Sequence, residues 1–136
     1  MDKEIINPDS MAPARGFNHG ILVDGGKLLF LAGQDGADAE ENIVAPDDLV
    51  TQFDQVLENH QTVVEAAGGK MDDIVKLNTF VADRDDYVDK LDPLGDVFAS
   101  YFNDYPTMAL FEVNKFFKQD ALIELEGIAI IDDSDN

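Results

Sequence analysis

ALIELEGIAII, residues 121–131, decides how the chain must fold. In an extended strand alternate side chains point to opposite faces, so Ala121, Ile123, Leu125, Gly127, Ala129 and Ile131 share one side. Leu122, Glu124, Glu126, Ile128 and Ile130 share the other. The first side is wholly apolar and suits a cover of helices. The second is still largely apolar, yet it carries two carboxylates that must find partners or water. A sheet holding this strand needs a cover on both faces. Helices of the same chain supply one, and further copies of the chain are expected to supply the other.

Two stretches provide the helices. PDDLVTQFDQVLENHQTVVEAAGG, residues 46–69, places Leu49, Val50, Phe53, Val56, Leu57, His60, Val63, Val64 and Ala67 close to a 3.6-residue period. Asp47 or Asp48 can cap its start, and Gly68 and Gly69 can end it in the left-handed conformation. DDYVDKLDPLGDVFASYF, residues 85–102, gives a second helix with Tyr87, Leu91, Leu94, Val97, Phe98 and Tyr101 inward. Pro93 and Gly95 should kink or divide it. In GILVDGGKLLFLAG, residues 20–33, two strands flank Gly25 and Gly26, a pair suited to a tight hairpin. MDDIVKLNTFVAD, residues 71–83, and YPTMALFEV, residues 105–113, read as further strands. The expected order is β, β, β, α, β, α, β, β. It describes an α+β fold in which a single mixed sheet carries two helices on one face, as one domain over residues 1–131 with an acidic tail at 132–136.

Composition restricts function before any motif does. The 136 residues include no cysteine, which excludes disulfides, thiolate catalysis and thiolate metal sites. Acidic residues number 29 against 9 Lys and Arg, for a net charge of −20. Such a field repels phosphate backbones and anionic lipid, so neither nucleic acid nor a membrane is an expected partner. With 45% hydrophobic residues in periodic segments, the acid belongs to a folded surface. Aspartate exceeds glutamate and arginine occurs only at Arg15 and Arg84, a balance resembling that of halophilic cytoplasmic proteins. The start, MDKEIINPDS, has no basic region followed by an apolar run, and a soluble cytoplasmic protein is expected.

GQDG at 33–36, QVLENHQTVVEAAGG at 55–69, DIVKLNTFVADRDDY at 73–87 and PTMALFEV followed by LIELEGIAII together resemble the RidA/YjgF family of small enamine and imine deaminases. The resemblance spans nearly the whole chain in order. It implies a chorismate-mutase-like subunit in a homotrimer, with open sheet faces meeting in a central barrel and a small-molecule cleft at each interface. No cofactor is implied. A trimer would carry three times −20, so assembly is expected to depend on salt.

The family's deaminases have Pro-Ala-Arg-Ser where this chain has Pro106, Thr107, Met108 and Ala109, so Met108 stands in the place of an arginine that grips a substrate carboxylate. A cleft tyrosine in a Gly-Pro-Tyr context is likewise absent, since Gly16 is followed by Phe17. An asparagine of the second helix is replaced near Gly95. By the resemblance, Glu124 is the catalytic residue, positioning water for attack on an imine carbon. Phe17, Gln34, Met108 and the backbone amide of Leu110 form the substrate-binding set. Two functions stay open: hydrolytic deamination of enamine or imine metabolites with altered specificity, and a non-catalytic ligand-binding or regulatory trimer in which Glu124 only orders the interface. Arg15 and His19 lie close to Phe17 in sequence, while His60 falls on the apolar side of the first helix. The two histidines lack ligand spacing, and no metal site is expected.

Overall fold

The computed structural model describes residues 1–133. Its strands are β1 (Asp2–Ile6), β2 (Gly20–Asp24), β3 (Lys27–Asp35), β4 (Ile74–Val81), β5 (Thr107–Glu112) and β6 (Ile123–Ile131). Its α-helices are α1 (Leu49–Ala66), α2 (Arg84–Asp89) and α3 (Leu91–Ala99), and a 3-10 turn at Met71–Asp73 leads into β4. Of the expected acidic tail, residues 134–136 lie outside the described residues. No helix among the described residues is long and apolar enough to cross a membrane.

The main sheet is mixed, in the order β3-β6-β4-β5, with β6 antiparallel to both neighbours and β5 parallel to β4. Strand β6 alternates as its sequence requires: Ile123, Leu125, Ala129 and Ile131 are buried, while Glu124, Ile128 and Ile130 are only half-buried and Glu126 is exposed. The buried side meets α1 and α3, so the helices do share one face. Fully burying a side chain such as Leu57, Leu77, Ile123 or Leu125 is worth about 1.5–3 kcal/mol, which is what fixes the register of the central strands.

The remaining strands depart from the expectation. Instead of one sheet there are two, because β1 and β2 form their own antiparallel ribbon. Gly25 and Gly26 do take positive φ, +86° and +85°, but the turn does not close a hairpin between β2 and β3. It transfers the chain from one sheet to the other. The nine residues of β3 find a partner of equal length in β6, which the five residues of β2 cannot offer.

The second helical stretch is divided, and the break falls at Lys90, before both Pro93 and Gly95. A proline ring clashes with the carbonyl four residues back, here Asp89, the last residue of α2. Pro93 itself sits in the first turn of α3, where its missing N–H leaves no bond unmade. Leu91, expected inward, is consequently 51% exposed.

In α1 the cap is Asp48, whose carboxylate accepts from the Thr51 amide at 3.1 Å. Val63 and Ala67, expected inward, are exposed, and the buried stripe is instead Leu49, Gln52, Phe53, Val56, Leu57, His60 and Val64. Gln52 is fully buried with all its needs met. Its Nε2 donates to the Ala45 and Asp120 carbonyls at 3.0 and 3.1 Å, and its Oε1 accepts from the Leu122 amide at 2.8 Å.

His60, on the apolar side of α1, is fully buried in the core. Its Nε2 donates to the Leu125 carbonyl at 2.7 Å, which leaves Nδ1 as an acceptor without a partner among the described residues. Burial pushes its pKa below the ordinary histidine value of 6.5, against a smaller opposing effect of the Leu125 bond. The unfolded chain therefore takes up this proton more readily than the folded one. Stability from His60 is complete above about pH 6.5 and declines as pH falls below it. Urea titrations of wild type and His60→Gln in molar potassium chloride are expected to diverge between pH 7 and 5, with only the wild type losing this component. Parallel curves would refute it, since the carboxylates titrate equally in both.

Candidate functional site

A cleft of about 430 Å³ opens at the outer edge of the sheet beside β5. Its floor comes from β4 and β5. Parallel pairing sets Leu77 beside Met108 and Thr79 beside Leu110, so all four side chains lie on the helix side of the sheet. Met108 is half-buried against the core. Tyr87, Leu91, Leu94, Gly95 and Phe98 form the helical wall, and Arg15, Gly16 and Phe17 cover the mouth together with Tyr105.

A polar residue that sequence reading passed over holds this covering loop. Asn18 donates its backbone N–H to the Pro106 carbonyl at 3.0 Å and its Nδ2 to the Tyr105 carbonyl at 2.6 Å. Asn7 in turn donates to the Asn18 side-chain oxygen at 2.9 Å. These bonds pin the segment between β1 and β2 to the start of β5 and hold Phe17 over the cleft. His19 lies outside the lining, with its ring edge-on to Phe17 at 5.2 Å and its Nε2 2.8 Å from the Ala12 carbonyl.

The site residues named from sequence thus separate into two groups. Phe17, Met108 and Leu110 meet in the cleft. Gln34 and Glu124 do not line it. Register pairs Gln34 with Leu125, on the helix side of the sheet, and Glu124 with both Asp35 and Phe80, on the open face away from the helices. The Glu124 carboxylate lies across Gly33, where a Cβ would stand 2.6 Å from Oε2. Burial first, then the nearby charges of Asp35 and Glu126, push its pKa above the ordinary glutamate value. A half-buried acid among other acids is a stronger base than a free glutamate.

The open face around it is apolar and unclad. Leu28 is 61% exposed, Phe30 72% and Phe111 47%, with Phe111 stacked on Phe80 at 5.5 Å. Among the described residues no group of three or more His, Asp or Glu is arranged to hold a metal ion.

A four-stranded mixed sheet with helices on one face, an apolar open face and a cleft at its edge strand defines a small α+β protein of the chorismate-mutase-like fold. The sequence profile of the Endoribonuclease L-PSP family matches residues 8–131. A RutC family protein of Pyrococcus horikoshii is 33% identical over 128 residues, covering 93% of this chain and 97% of that one. Among solved structures, YyfB of Yersinia pestis, a Rid-family protein of unknown function, superposes with a TM-score of 0.86 at 30% identity, covering 96% of this chain and 100% of its own. RidA from an Antarctic Psychrobacter gives 0.68 at 29% identity, covering 94% and 99%. The chain belongs to the Endoribonuclease L-PSP family, the RidA/YjgF group that its motifs resemble.

Proposed function

We propose that the protein is a Rid-type homotrimer that hydrolyses a small enamine or imine metabolite, with Glu124 as the general base. The observation that carries this reading is the half-buried Glu124 carboxylate, laid over Gly33 and made more basic by burial, Asp35 and Glu126. Glu124 takes a proton from water as the oxygen bonds to the imine carbon. Glu124 returns that proton to the nitrogen to give a carbinolamine, and as the carbon–nitrogen bond breaks the hydroxyl proton also passes to the leaving nitrogen, so that a carbonyl compound and ammonia result.

Glu124 and the cleft residues occupy opposite faces of the sheet. For both to act on one ligand, a neighbouring copy must bring its Glu124 to the cleft around β5. The exposed apolar face of Leu28, Phe30 and Phe111 favours such assembly. Met108 supports a second reading, a trimer that binds its ligand without turnover, because a thioether cannot orient a carboxylate as a guanidinium does. The ribonuclease activity in the family's name is not carried over, since a charge of −20 opposes a phosphate backbone.

The deciding experiment is ammonia release from 2-aminoacrylate generated in the assay, in molar potassium chloride, with light scattering on the same sample. A trimer that releases ammonia above the uncatalysed rate supports deamination. A trimer that shows no release with this or other small imines overturns it in favour of the binding reading.

A further inference from the structure

We propose that Arg15 is the carboxylate anchor of the cleft and that the ligand is a monocarboxylate with an aromatic-sized apolar body. This rests on the cleft beside β5 being the ligand site, and it does not depend on turnover.

The argument begins with charge. The chain has only two arginines in a field of −20. Arg84 pairs with Asp85 at 3.0 Å. Arg15, among the described residues, makes no ion pair or hydrogen bond, although acidic residues outnumber cations 29 to 9. Among the chain's own described residues no acid lines the cleft, and Arg15 is the one full charge they supply to it. A guanidinium at the mouth of a cleft to which its own chain adds no carboxylate is a receptor for a planar anion, which it grips through two parallel hydrogen bonds.

The interior specifies the rest of the ligand. Phe17, Leu91, Phe98, Tyr105 and Met108 present apolar surface around about 430 Å³, more than a two- or three-carbon acid fills. Deeper lies Thr79, 1% exposed, whose Oγ1 has no partner among the described residues. A buried hydroxyl left unpaired is costly, and a polar atom on the inner part of the ligand would satisfy it. A cation at the mouth, an apolar middle and a hydroxyl at depth match an amphiphilic acid that enters body first.

Calorimetric titration of phenylacetate, phenylacetamide and acetate into wild type and Arg15→Gln, at the lowest salt at which light scattering still shows the assembled protein, tests this. Arg15 is exposed, so the variant should keep its fold. Wild type is expected to bind phenylacetate roughly tenfold more tightly than phenylacetamide, and acetate too weakly to detect. Arg15→Gln should bind the acid and the amide alike, with amide affinity unchanged. Equal affinity of wild type and variant for phenylacetate, a preference for the amide, or no binding of either aromatic probe would overturn the proposal. Ammonia release with no carboxylate preference removes this inference and leaves the deaminase reading standing. Arg15-dependent binding with no ammonia release does the reverse.

Discussion

Gly127→Ala is expected to leave little or no cooperatively folded protein. Gly127 lies in the middle of β6, opposite Leu77 of β4 and Leu31 of β3. A Cβ there would stand 2.0 Å from the Lys76 carbonyl oxygen and 3.0 Å from Leu77 Cδ2. The first neighbour is backbone and cannot rotate away, so β4 and β6 would have to part at the centre of the sheet. A loss of about 4 kcal/mol or more follows, a large share of the roughly 5–15 kcal/mol that holds a domain together. Gly95→Ala is the control. Gly95 sits inside α3 with nothing within 4 Å of an added Cβ, so alanine there should stabilise by about 0.5–1 kcal/mol. Denaturant unfolding of both variants in molar potassium chloride checks the pair. A Gly127→Ala protein within about 1 kcal/mol of wild type would contradict the close approach of β4 and β6.

The second large effect is on catalysis. Glu124→Gln keeps the size of the side chain and removes its basicity, and should lower ammonia release by roughly 10²–10⁴-fold with folding intact. Because burial, Asp35 and Glu126 raise the Glu124 pKa, its base form is lost already above the ordinary glutamate range as pH falls. The acid limb of the rate profile should therefore lie at higher pH than for a free glutamate. Asp35→Asn removes one of the repelling charges and should move that limb to lower pH. Gly33→Ala offers an independent check, since its methyl would displace the carboxylate from Oε2 outward and reduce the rate without touching Glu124 itself. Full activity in Glu124→Gln would remove the residue from the mechanism.

Much of this molecule is legible in its residues. The alternation in 121–131 gives the covered and uncovered faces of β6, and the period of 46–69 gives α1, with a cap at Asp47 or Asp48 that the structure assigns to Asp48. Both follow from local geometry, in which burial repeats at 2 and about 3.6 residues. The family likeness in GQDG and PTMALFEV is also written in order along the chain. Gln52 shows where such reading stops. It lies on the stripe of Leu49, Phe53, Val56 and His60, but its polar name hides it, and only the approach of the Ala45, Asp120 and Leu122 backbones makes its burial favourable.

The sequence by itself determined the fold class and the place of α1 in the chain, because each depends on residue identity and spacing. Which strands pair, and which candidates share a site, were decided only by the tertiary structure. The transfer at Gly25 and Gly26, the Asn18 bonds to the start of β5 and the separation of Glu124 from Met108 by the thickness of a sheet all join residues far apart in the chain. Their partners are chosen by packing and by the pairing of backbone groups, and no local pattern carries that choice.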